Sequence, residues 1–141
     1  MTFEQLDRNF PNGFDDAEMT AVRVDYVSRA ATLHLNLRGN PPDSPNSQQY
    51  GRAVLTLLEL YYFAVDPPDL DHLFYPSQSK VVFDAMPEDS EQFPLSERLK
   101  PTLPQGAFCC RFYVHDWNSF IHMAAKDAQF SWLEAGHGQG K

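Results

Sequence analysis

Asp69, Asp71 and His72 fall within a span of four residues, and carboxylates beside an imidazole are the donors a metal ion takes. With His34, His115 or His122 folded against them, the set would suit a metal-assisted hydrolase. The spacing argues against that reading. Asp69-Leu70-Asp71-His72 lacks the glycine and the regular acid positions of a calcium loop, and no zinc-ligand spacing is present. Acids next to a turn are ordinarily solvated surface, so no metal is expected. The pair His115-Asp116 raises a different chemistry, a general base oriented by a carboxylate, with Cys109, Cys110 or a serine as nucleophile. Neighbours on a strand point to opposite faces, and Asp at a turn usually accepts from backbone amides, so His115-Asp116 is read as a turn. No Gly-x-Ser-x-Gly elbow, phosphate loop or dinucleotide fingerprint occurs, and the expectation is a non-catalytic protein without cofactor.

The elements that must carry these residues are mostly strands. From Gly106 to Leu133 apolar residues recur at every second position (Phe108, Cys110, Phe112, Val114, then Ala128, Phe130, Trp132), broken at His115-Asp116 and Lys126-Asp127. That pattern predicts a three-stranded aromatic meander. His122 falls on its inward face, where a hydrogen-bonded structural imidazole is expected, and Arg111 and Tyr113 share the opposite face with Cys109 as amphipathic cover. Upstream, Thr2 to Gln5 forms a capping box for a short helix from Phe3 to Asn9. Val22, Val24 and Tyr26 alternate with Arg23 and Asp25, and Ala31, Leu33, Leu35 and Leu37 with Thr32, His34, Asn36 and Arg38, which predicts an antiparallel hairpin. Residues 39–49, with three prolines, make an exposed loop long enough to cross an end of the sheet. Arg52 to Val65 is apolar at nearly every position, which fits a helix or one strand covered on both faces, and its aromatic middle and the stop at Pro67-Pro68 favour the strand. Lys80 to Asp84 is a further short strand, and residues 86–102 a loop with at most one helical turn. The expected architecture is a mainly β antiparallel sandwich or curved sheet of about seven or eight strands with a short N-terminal helix. Residues 1–135 form one domain and 136–141 a flexible tail.

Nineteen acids against eleven bases leave a net charge of -8, the wrong sign for a protein that grips nucleic-acid phosphates. The charge is uneven: Asp66, Asp69, Asp71, Asp84, Glu88, Asp89 and Glu91 are offset within that segment only by Lys80, giving it -6 of the -8. Neither an apolar run of membrane-spanning length nor a secretory leader is visible, so a cytoplasmic location is expected, with Cys109 and Cys110 as thiols because adjacent strand residues cannot readily pair.

Asn12-Gly13-Phe14-Asp15-Asp16-Ala17-Glu18-Met19, followed by the alternating runs from Val22 and Ala31, resembles the opening of small uncharacterised bacterial β-rich families, some grouped with immunity proteins of polymorphic toxin systems. The resemblance implies a non-catalytic partner-binding domain and carries over no functional residue. Charge and resemblance together lead to the expectation of a protein that docks a basic protein partner through its acidic segment. Asp69, Asp71, Glu88 and Asp89 would supply attraction, and Phe74 or Tyr75 an aromatic anchor. The alternative is a small-ligand or carbohydrate-binding sheet on which Tyr61, Tyr113 or Trp117 stacks.

Overall fold

The computed structural model describes residues 1–74, 78–87 and 94–133, so the expected tail at 136–141 lies outside the described residues. Helix α1 spans Phe3–Arg8, and its capping box is formed: Thr2 Oγ1 accepts from the Gln5 N–H at 3.2 Å, and Gln5 Oε1 from the Thr2 N–H at 2.9 Å. Six residues are too few to hold a helix alone. Buried Phe3 and Leu6 anchor it to the core, Phe3 against Phe14 and Phe112 at ring distances of 5.0 and 5.7 Å. The loop behind it is tied back by Asp7, whose Oδ1 accepts from the Phe14 N–H at 2.9 Å.

Eight strands follow: β1 (Ala17–Asp25), β2 (Ala30–Leu37), β3 (Gly51–Leu58), β4 (Tyr62–Val65), β5 (Val81–Pro87), β6 (Phe108–Val114), β7 (Ser119–Ala125) and β8 (Asp127–Trp132). Helix α2 (Pro94–Leu99), continued by a 3-10 turn at Lys100–Thr102, lies between β5 and β6. All strands join one antiparallel sheet in the order β4-β7-β6-β5-β1-β2-β3-β8. The hairpin β1-β2 pairs as its alternation requires, with a bulge at Thr20. Tyr26 departs from its expected face: it stands in the turn, 77% exposed.

The expected meander is corrected. Strands β6 and β7 form a hairpin, but β8 pairs with β3 at the other end of the sheet. Only Lys126 separates β7 from β8, and one residue cannot reverse an extended chain, so the strand bends and runs on. Arg52 to Val65 bends at the matching place. It is two strands, not one, broken after Leu58, with Glu59 in the left-handed region at φ 52°. Leu58 pairs with Asp127 and Tyr62 with Ala124, and the corner is stitched by Lys126 N–H to Leu58 O at 3.2 Å and Tyr61 N–H to Ala124 O at 2.8 Å. The two bent strands thus form one long ribbon that starts at one end of the sheet order and finishes at the other, which curls the sheet around a single core. Nor is the run covered on both faces, because Ala53, Leu55 and Leu57 are buried while Val54, Thr56 and Leu58 are half-buried. The loop at residues 39–49 crosses nothing; it joins β2 to β3, which are paired neighbours.

The core gathers side chains from α1 and from both halves of the curled sheet, centred on Phe83 and Phe112, stacked at 4.3 Å. Arg111, expected as surface cover, is buried beside His122, its cross-strand partner. No helix among the described residues is long and apolar enough to cross a membrane.

Candidate functional site

Strand β4 runs out of the sheet into residues 66–74, and a set of polar contacts decides how that segment lies. The Asp66 N–H donates to Phe120 O at 2.9 Å, and Asp66 Oδ2 lies 2.9 Å from Nε2 of His122, which is buried and hydrogen-bonded as expected but not on the inward face: Ile121, Met123 and Ala125 turn to the core, and His122 shares the other face with its cross-strand partner Arg111. Asp69 is bound at four points: its N–H donates to Trp117 O at 3.0 Å, its C=O accepts from the His72 N–H at 2.8 Å, its Oδ2 accepts from Asn118 Nδ2 at 3.0 Å, and its Oδ1 from the Asp71 N–H at 3.1 Å. The Asp71 amide, and then the Asn118 amide, hold the Asp69 carboxyl below the usual carboxylate range. With polar groups turned to the β6-β7 turn, apolar side chains are left facing water. Leu70, Leu73 and Phe74 are 84%, 55% and 63% exposed, and Phe74 stacks on Trp117 at 5.1 Å. This ridge places apolar anchors among Asp66, Asp69 and Asp71.

Beside the ridge lies an open groove of about 310 Å³, lined by β1 (Met19, Ala21, Val22), by β4 (Phe63, Val65) and by residues 78–81 leading into β5, with Ile121 also lining it and Phe74 and Trp117 on the ridge side. Strand β1 pairs with β5 only over Ala17–Met19, and β4 is an edge strand, so no ladder joins them among the described residues. Val22, Val24 and Phe63 pack against the core yet remain half-buried, and Val65 is 48% exposed. Lys80 lines the groove but its charge is engaged: Nζ donates to Glu18 Oε2 at 2.7 Å, and that hydrogen bond raises the Lys80 pKa. The Nε1–H of Trp117 is buried with no acceptor among the described residues.

Of the residues expected to dock a partner, Asp69, Asp71 and Phe74 come together on the ridge, whereas Tyr75, Glu88 and Asp89 lie outside the described residues. Asp84 is engaged by other partners than the ridge, accepting from the Asp16 N–H at 2.8 Å and lying 2.7 Å from His115 Nε2. Residues Tyr61, Tyr113 and Trp117 form no common stacking platform: Arg29 covers the Tyr61 ring at 5.1 Å, Tyr113 packs on His115 and Phe120 and donates to Asn118 Oδ1 at 2.6 Å, and only Trp117 reaches the groove. The turn reading of His115-Asp116 holds, with Asp116 Oδ1 accepting from the Val82 N–H of β5 at 2.6 Å.

Asp69, Asp71, His72 and His122 build no donor cluster. Among the described residues the group whose ligand atoms lie mutually within 4.8 Å is Asp16, Asp84 and His115. Its members come from the turn before β1, from β5 and from the β6-β7 turn, and they are already joined by the two contacts of Asp84, with Arg38 3.7 Å from Asp16. Burial, then the nearby Asp84 and Asp16 carboxylates, raise the pKa of adjacent Asp15. These residues could accept a cation; without one, they form a closed polar patch that fixes β1 against β5.

Sequence reasoning missed the groove, because its walls, β1 and β4, are distant along the chain and only the curl brings them together. The one available signal was that Val22, Val24, Phe63 and Val65 are apolar beside a break in the pairing pattern. Against known protein families, curated proteins and solved structures, the chain matches no family model, no curated protein and no solved structure.

Proposed function

We propose that this chain is a non-catalytic binding protein that docks a basic protein partner through the ridge of residues 66–74, in the manner of an immunity protein. One observation carries the reading: Leu70, Leu73 and Phe74 are exposed on a segment that also bears Asp66, Asp69 and Asp71. A soluble surface that exposes large apolar side chains inside a charged rim is typical of an interface, the apolar groups supplying affinity and the charges the rate of encounter. Asp69 has a second part to play, since its hydrogen bonds hold the ridge in shape before the partner arrives. The buried thiols Cys109 and Cys110 accord with a reducing, cytoplasmic setting.

The test is calorimetric titration with the protein encoded next to this chain's gene, in low salt and at ~0.15 M salt. Association is expected to weaken with salt, to lose at least about tenfold when Phe74→Ser and Leu70→Ser are combined, and to slow when Asp66, Asp71, Glu88 and Asp89 are neutralised together. An acidic neighbour, or binding indifferent to both sets of changes, overturns the reading. A small apolar ligand is the second reading, supported by the groove and by Trp117 in its lining. It predicts tight binding insensitive to salt.

A further inference from the structure

We infer that the groove between β1 and β4 receives an extended segment of the basic partner, which adds to the sheet as a strand with apolar and basic residues in alternation. This rests on the docking reading above and states how that docking is made.

Backbone is the first argument. The Asp66 N–H bonds to β7, so in an antiparallel ladder Ala64 also faces β7, while the N–H and C=O groups of Phe63 and Val65 between them point away, toward the groove. Across the groove, Ala21 to Asp25 of β1 pair with β2 on one side and with no strand on the other among the described residues. Each wall therefore presents ladder groups that have no partner among the described residues, which an extended chain can satisfy and a compact apolar ligand cannot. Side chains are the second argument. The inward positions at the groove, Val22, Phe63, Val65 and Ile121, are apolar, and a strand lying there directs every second side chain onto them. Charge is the third. The intervening side chains point outward beside Asp66, Asp69 and Asp71 on a molecule of net charge -8, which favours lysine or arginine and disfavours a second copy of this chain.

The experiment uses the full chain and a capped peptide of about six alternating lysine and valine residues, a length that covers β4 with some overhang. Its comparison is the same peptide N-methylated at every residue, which keeps charge and side chains but leaves no N–H on either edge to complete a ladder. The parent peptide is expected to slow amide exchange at Phe63 and Val65 and along Val22 to Val24, and to bind at least about tenfold more tightly than the methylated one. Val65→Pro, which removes an outward N–H without touching the β7 ladder, is expected to abolish the difference while leaving the melting temperature nearly unchanged. If this variant fails to fold, the peptide pair still decides. Equal binding of both peptides, or protection confined to residues 66–74, overturns strand addition and leaves the docking ridge standing. Failure of both peptides to bind also overturns it, whereas loss of the ridge reading is scored separately by the salt and Phe74→Ser titrations.

Discussion

Asp69 commits both carboxylate oxygens to its neighbours, one to the Asp71 amide and one to Asn118, and so joins the ridge to the β6-β7 turn. Because those bonds depress its folded pKa, the tether is fully present above the unfolded value of ~3.9 and is lost as pH falls through the lower, folded value. Acidification below about pH 4 should therefore release the Asp71 amide and the Asn118 side chain before the core melts. Amide exchange at Asp71 followed by NMR reports it; protection unchanged down to global unfolding contradicts the assignment. Gly13 is constrained in another way. At φ +54° a side chain is strained, and a Cβ there would stand 2.8 Å from Asp7 Oδ1, the atom that holds the Phe14 N–H. Gly13→Ala is expected to cost about 1–2 kcal/mol in denaturant unfolding through the left-handed backbone alone, more if the Asp7 contact is lost.

At the scale of elements, the corner of the long ribbon is the decisive piece. Its turn rests on Glu59 at φ 52° opposite the single residue Lys126, so the geometry of two strands depends on one left-handed position. A β-branched side chain is poorly tolerated there. Glu59→Val should destabilise by about 1–2 kcal/mol, whereas Glu59→Gly, free of the Cβ penalty, should be close to neutral. Denaturant midpoints of the two variants separate backbone strain from loss of the Glu side chain, since both lack it. Much of this element level could be read in the chain. The capping box of Thr2 and Gln5 and the alternation of Ala31, Leu33, Leu35 and Leu37 are local signals, and both produce the elements they predict. The break at Lys126 was equally visible, but a bend and a hairpin both need polar residues at the break. Which one forms is settled by whether β8 finds a better partner in β3 than in β7.

At the scale of the whole molecule, the ribbon curls the sheet so that α1 and the strands share one core around Phe83 and Phe112, and the described residues are expected to unfold as one cooperative unit. Phe112 is fully buried. Phe112→Ala should cost about 3–5 kcal/mol and lower the stability of the distant β3-β8 pair as much as that of β6. Burial also pushes the Cys110 thiol well above its ordinary pKa. Alkylation of Cys109 and Cys110 should consequently be slow in the native protein and rise in step with loss of tryptophan burial. Labelling that precedes the fluorescence transition would show that β6 opens separately from the rest.

Composition and alternation were sufficient to determine a β-rich antiparallel domain with a short leading helix, an acidic segment carrying Leu70, Leu73 and Phe74, and the lack of any nucleotide-binding or hydrolase motif. These properties follow from neighbours along the chain, where period and charge are written directly. The partner of β8, the contact of Asp84 with Asp16 and His115, and the groove between β1 and β4 were decided by tertiary structure alone. Each depends on residues far apart in sequence meeting when the ribbon turns its corner at Glu59 and Lys126, and pairing across such distances is chosen by the burial of the whole core rather than by any local pattern.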